Sequence, residues 1–464
     1  MGIMVMRASH ITAASSAVIA ALAYSVLGYQ QWTTGWVPSW DLGIFSQLAR
    51  AYSHWQEPIV PIKGEGFNLL GDHFHPILVL LGPVWAVWPS GMSLLIVQSL
   101  LFGLSAYPLT RYAADRYGIA FGSAIGLGYG LSWGLQSAAS SQFHEIAFAV
   151  PMLSFGLVAY LEGRWPASAL WIGALVFVKE DLGLTVALFA LVLWGRHRDT
   201  GRPSPWPQNR EQRIALGLAL WGLTWMVLST TVILPALNPD QRYDYTNRLT
   251  GIGASLAHPE TYVALVMLAC AAGIIGLRSP LAWLMAPTLA WRLAGNVSYY
   301  WGWEWHYSAT LMPIAVAALL DQAQSWAGRD RDGATRARIR WLAVCLLIVS
   351  TLGLGSKQPL ARLGQSIYWD TWRAPGMASA LGIVPAGATV LTDLSLMSYL
   401  VPDRTVYWVG HPHSAPDYIV RNTQSNAWDE PAIANLADWA SARFGQPYEI
   451  VHDADYYVIA RRLS

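Results

Sequence analysis

The residues best suited to chemistry lie in a polar stretch after the first apolar run, from Trp40-Asp41-Leu42-Gly43 to Gly71-Asp72-His73-Phe74-His75-Pro76. It gathers Asp41, Asp72, His73 and His75 with Lys63 and Glu65 beside aromatic anchors. Ionisable groups against a bilayer are costly unless they face water, one another or a ligand. Further along come His144-Glu145, Lys179-Glu180-Asp181, and Arg292 followed by the run Tyr299-Tyr300-Trp301-Gly302-Trp303-Glu304-Trp305-His306-Tyr307. A carboxylate can take the proton of an attacking hydroxyl. A Lys or Arg can offset charge on a departing phosphate, and aromatic rings can hold sugar faces. This inventory suits transfer of a sugar from a lipid phosphate. Asp41 fits the base, Lys179 or Arg292 the phosphate partner, and His75, His144 and Glu145 the positioning of donor or acceptor. Asp72, His75, His144 and Glu145 offer an alternative as a divalent metal site. Their types suit Zn or Mn, although their spacing follows no strong metal motif.

Each group also has a plainer reading. Asp41 can cap the helix that follows it. His73 and His75 alternate, so on an extended segment only one shares the side of Asp72. His144-Glu145 can be a solvated helix start, Lys179-Glu180-Asp181 an internal ion pair, and the Tyr/Trp run an interfacial belt. Convergence favours function, because these separate loops all fall on one expected side of the membrane.

The elements that must position them are membrane helices. The chain has 464 residues, 54% hydrophobic and only 12% charged, about half the charged share of a soluble domain. A net charge of +1 gives no footprint for nucleic acid. The two cysteines, Cys270 and Cys345, sit in apolar runs, which argues against a disulfide framework, a zinc site or a thiol nucleophile. Arg7 precedes an apolar run from Ile11 to Gly28, read as an uncleaved first helix rather than a signal peptide. About eleven spans are expected, near 10–29, 92–110, 119–137, 146–162, 167–179, 182–195, 214–234, 260–277, 280–295, 306–321 and 340–355.

With these alternating, Arg7, Arg111, Arg116, Arg164, Arg196, Arg198, Arg202, Arg210, Arg213, Arg278, Arg329, Arg331, Arg336, Arg338 and Arg340 share one side. The other side carries only Arg50, Lys63, Lys179, Arg242, Arg248 and Arg292 before the C-terminal segment. The positive-inside rule then puts the N-terminus in the cytoplasm and the C-terminal segment outside the cytoplasmic membrane. Residues 76–88 reach only about 20 Å as a helix, so they are expected to lie in the outer interface. Residues 41–55 are expected as a second interfacial helix. Lys179-Glu180-Asp181 interrupts two short runs, and irregular polar backbone at that depth belongs in a cavity or inside protein.

Residues 356–374 read as a linker and 375–464 as a small α/β domain. Strand-like runs occur at 388–392, 405–409 and 418–420, a helix is expected over 431–444, and a closing hairpin turns across Ala454 and Asp455. The fold class is therefore an all-α polytopic membrane domain over 1–355, with an outer loop at 30–91, plus this extracytoplasmic domain.

The order W-D-L-G-I-F, G-D-H-F-x-P, F-H-E, V-K-E-D and H-Y before an apolar span resembles an uncharacterised prokaryotic membrane family, domain of unknown function twenty seventy-nine. That family is similar to the GT-C glycosyltransferase superfamily. The resemblance runs over nearly the whole chain. It implies a GT-C-like bundle with interfacial helices in the first outer loop, a polyprenyl-phosphate-linked sugar donor, and a catalytic acid at the position of Asp41. Leu42 and Gly43 follow Asp41, so the paired D-x-D or D-E acids of some GT-C branches are absent there. The acceptor is left open among glycan, lipid and protein. Two other classes compete. A flippase or transporter should repeat the broken hairpin of 167–195 in its second half, and no counterpart is evident. A non-catalytic envelope scaffold would keep its cellular role in Asp41→Asn.

Overall fold

The computed structural model describes residues 2–198, 206–245, 251–325, 333–428 and 433–463. Arg202, Arg248, Arg329 and Arg331, part of the expected charge asymmetry, lie outside the described residues, as do 431–432 of the expected C-terminal helix.

Long apolar runs make long helices here, one of them continuing through Pro108. Among the described residues three are long and apolar enough to cross a membrane: Met6–Thr34, Gly91–Tyr117 and Arg210–Leu237. At about 1.5 Å per residue each reaches roughly 40 Å. Glu145–Leu161, Trp165–Phe177, Leu182–Arg196 and Pro259–Ala271 are apolar but only 10–17 residues long. Small residues let the helices approach closely, which replaces hydrophobic drive inside lipid. A Cβ on Gly103 would fall 2.5 Å from the carbonyl oxygen of Ala17 in the first helix, and Gly183 and Gly222 stand equally close to each other's carbonyl oxygens.

Two elements differ from expectation. The helix Asp41–Ser53 is not left on a surface, since every residue from Leu42 to Ala49 is buried. The reason is a second cover: a Cβ on Gly43 would touch Met397, from the C-terminal region, at 3.0 Å. Residues 76–88 form a 3-10 turn, Pro76–Leu80, followed by a short helix, Leu81–Val87. Pro76 and Pro83 limit the backbone hydrogen bonds available there.

The C-terminal region forms a five-stranded mixed sheet, β1 (Thr389–Thr392), β2 (Thr405–Trp408), β3 (Tyr418–Asn422), β4 (Tyr448–Ala454) and β5 (Tyr457–Arg462). Its order is β2-β1-β3-β5-β4, parallel across the first three strands and antiparallel beyond. The closing hairpin turns at Asp455-Tyr456, one residue later than the sequence suggests. Both residues have positive φ, 50° and 71°, as a two-residue turn matching strand twist requires. Alternation sorts the sheet into two faces. Val390, Val406, Val420 and Ile459 join the core of the helical body, while Leu391, Tyr407, Ile419 and Ala460 pack under the helix Leu436–Phe444. One core thus continues from the helical body into the sheet.

Candidate active site

Asp41 is the first residue of its helix. Trp40 occupies the capping position and makes no side-chain cap bond, so the capping reading of Asp41 does not hold. Its carboxylate instead meets the Nε2 of His144 at 3.3 Å. His144 follows Gln142, whose φ of 69° reverses the chain after the helix Trp133–Ser140. The Nδ1 of His144 lies 3.2 Å from the carbonyl oxygen of Gln142, and its backbone N–H donates to Gln98 Oε1 at 3.2 Å. The imidazole of His306 stacks on His144 with centroids 3.6 Å apart. With its Nδ1 engaged at the Gln142 carbonyl, the ring is held with Nε2 toward Asp41. Burial opposes ionisation of Asp41, but the charge and hydrogen bond of His144 outweigh it and hold the carboxyl below its ordinary value. Burial likewise opposes charge on His144, and Asp41 reverses that upward.

His144→Gln removes this charge and leaves the burial. Ionised Asp41 is lost as pH falls through its pKa, so the acid limb of a pH–rate profile is expected to move up in the variant. An unmoved limb, measured on purified protein, would show that His144 does not tune Asp41.

The remaining groups meet around the same hollow. Lys63 Nζ is 3.1 Å from Asp72 Oδ2 and lies over the rings of Trp40 and Phe67. Burial works against the Asp72 carboxylate, yet Lys63 keeps its pKa below the ordinary value. His73 Nδ1–H donates to Glu180 Oε1, 2.8 Å away, and the ring stacks on Tyr245. Glu180 also accepts the Phe74 N–H at 3.0 Å. His75 packs edge-on against Phe45, and burial pushes it down to about 4. Lys179 Nζ pairs with Glu145 Oε1 at 3.0 Å.

Together they line a cavity of about 890 Å3. Asp41, Asp72, His73, His75, His144, Glu145, Lys179, Glu180, Asp181, His306 and Tyr307 all contribute to its wall. Lys63 of the first polar stretch lines it too, as do Tyr243, Tyr245, Leu394 and Trp408, which were not among the expected site residues. One flank is apolar, formed by Leu184, Pro287, Ala290, Trp291 and Ala294.

Two expected site residues lie elsewhere. Glu304 is exposed and off the cavity wall. Arg292 is buried away from the cavity and donates to the carbonyl oxygens of Tyr300 (2.7 Å) and Gly302 (2.6 Å) and to Ser308 Oγ (2.9 Å). The irregular backbone between 295 and 306 needs such donors for its carbonyls, so Arg292 braces the aromatic loop instead of facing a phosphate. Among the described residues, no three His, Cys, Asp or Glu side chains group as a metal ion would need. Asp72, His144 and Glu145 of the alternative metal set are each turned to a different partner.

A family profile described as predicted membrane protein (DUF2079) matches residues 37–459, a range containing every group above. No curated protein matches the sequence. Among solved structures, ArnT from Cupriavidus metallidurans bound to undecaprenyl phosphate is similar with a TM-score of 0.53 and 11% identity, over 96% of this chain and 97% of that one. The apo state of ArnT from the same organism aligns over 90% and 92%, with 12% identity and a TM-score of 0.46. The likeness to the lipid-bound structure gives the chain an ArnT-like fold. At this identity the likeness concerns the fold alone.

Proposed function

We propose that this chain, which belongs to the DUF2079 family of predicted membrane proteins, is a glycosyltransferase that takes its sugar from a polyprenyl phosphate on the outer face of the cytoplasmic membrane. The observation that carries this reading is the cavity itself. Acids, imidazoles and two ammonium groups from well-separated loops share it with an apolar flank suited to a prenyl chain. The ArnT structure of the same fold holds undecaprenyl phosphate, which supports a lipid phosphate as donor. The Arg-rich loops are taken to face the cytoplasm, with the shorter helices paired through the membrane and the C-terminal sheet outside.

Asp41 is the general base in this proposal. Its side chain is 26% exposed, against 14% for Asp72, 4% for Glu145 and 1% for Glu180. The acceptor hydroxyl loses its proton to Asp41 as its oxygen bonds to the anomeric carbon from the face opposite the phosphate. The bond from that carbon to the phosphate oxygen breaks, and its electron pair leaves with the polyprenyl phosphate. Lys63 and Lys179 offset the charge gathering there. Configuration at the anomeric carbon inverts.

The test supplies purified protein in lipid with synthetic polyprenyl-phosphate sugars and candidate acceptors. Polyprenyl phosphate should appear in step with a glycoside of inverted configuration, and retention would sink the single-step mechanism. In the same assay Lys179→Ala is expected to raise the KM for donor by about tenfold or more, roughly the 1.4 kcal/mol of one lost charge contact, while leaving the KM for acceptor nearly unchanged. Equal rises for both would mark Lys179 as a structural ion pair.

A further inference from the structure

A second hollow, of about 950 Å3, adjoins the first and shares two wall residues with it, Trp40 and Lys63. Three distant parts of the chain build it: the first outer loop, the segment 238–244, and the C-terminal loop 411–414. Those parts are tied together. Glu65 Oε2 accepts from the N–H and hydroxyl of Ser414 at 2.9 and 2.7 Å, and His411 Nδ1 meets the carbonyl oxygen of Ile62 at 2.9 Å.

Its chemistry differs from that of the reaction cavity. Among the described residues its wall has no Leu, Ile, Val or Met, so it lacks the aliphatic flank of the reaction cavity. Its wall carries the rings of Trp40, Phe67, His411 and His413 set among hydrogen-bonding groups, with Lys63 over one face of Trp40 and of Phe67 and with His413 stacked on Tyr407. Charges of both signs are present and nearly cancel: Lys63 and Arg242 against Glu65, Asp240 and Asp244. A polyanion would meet a slightly acidic wall and gain little. Arg242 pairs with Asp244 at 3.1 Å and Asp240 at 3.1 Å, and its side chain remains 65% exposed, so its donors reach the cleft. The remaining ring faces suit the C–H faces of a pyranose, and paired carboxylate and guanidinium groups suit its hydroxyls.

We propose that this cleft seats the leading units of a neutral glycan acceptor arriving from the aqueous side, its terminal hydroxyl passing the Trp40–Lys63 edge toward Asp41. This rests on the transferase reading above and names its acceptor class.

The test is binding to full-length protein in detergent, read by tryptophan fluorescence. The probes are neutral tetrasaccharides of glucose, mannose and N-acetylglucosamine, a galacturonic acid tetrasaccharide, a neutral tetrapeptide, and undecaprenyl phosphate. At least one neutral tetrasaccharide should bind saturably. Phe67→Ala and Arg242→Ala should each weaken it about tenfold, and Arg242→Ala should leave undecaprenyl phosphate binding unchanged. Arg242 is exposed enough that its removal leaves the fold intact. The proposal is overturned if undecaprenyl phosphate binds but no neutral tetrasaccharide does up to about 10 mM, a weak-binding limit. It is equally overturned if both variants bind sugar as wild type does, or if the peptide or acidic sugar binds instead and the variants weaken it. Failure of undecaprenyl phosphate to bind wild type tells against the donor reading alone.

Discussion

Asp41→Asn is expected to cut sugar transfer by about a thousandfold, within the range that a positioned general base contributes. The amide keeps the size of the carboxylate and can still accept from His144 Nε2, so the start of the helix Asp41–Ser53 is undisturbed. The amount of folded protein in membranes should therefore stay near normal, as size-exclusion profiles would show. Undecaprenyl phosphate should bind as it does to wild type, because the amide removes proton acceptance and leaves the lipid flank alone. Full transfer activity in this variant would take Asp41 out of the mechanism.

The second large effect is on stability. Glu145→Ala leaves the Lys179 ammonium, only 15% exposed, without the carboxylate 3.0 Å away. Stranding one member of a buried pair costs about 3–5 kcal/mol. That loss should appear as a clear fall in the unfolding midpoint of protein in nanodiscs. Removing both charges tests the cause. Glu145→Leu with Lys179→Met should regain most of the lost stability, because an apolar pair of similar volume carries no desolvation cost. The double variant should nevertheless be a poor transferase. If it is as unstable as Glu145→Ala, the penalty lies in packing rather than in charge.

Much of this site is legible in the sequence because polar residues inside an apolar chain announce themselves. Asp41, His144, Glu145 and the Lys179-Glu180-Asp181 break could be picked out by type and position, and all line one cavity. Partners could not be read. Nothing local tells that Asp41 binds an imidazole about a hundred residues away rather than its own helix end. Tyr243 and Tyr245 sit in a short polar loop that looks like any solvated connection, and only the fold carries Tyr245 onto His73. Trp408 was readable as a strand residue, yet its place in the cavity wall depends on how the sheet docks. Arg292 misled for the opposite reason. A cation beside an aromatic run suggests a ligand, whereas the carbonyls of that run were themselves what needed it.

Helix lengths show the same division. The three long apolar helices follow from composition. The burial of Asp41–Ser53 on a second side does not, because its cover comes from residues far along the chain.

That cover has a bearing on biosynthesis. Gln47 donates to the carbonyl oxygen of Val406, 359 positions later, and Arg50 to those of Val401 and Arg404. A ribosome making this protein must add all of that length before the hollow beside Asp41 has its last wall. Until then the nascent chain holds its reactive groups with the roof still missing, and loop closure over such a span is among the slower steps of folding. The hollow is therefore complete only once the segment Val401–Val406 has docked on the helix Asp41–Ser53.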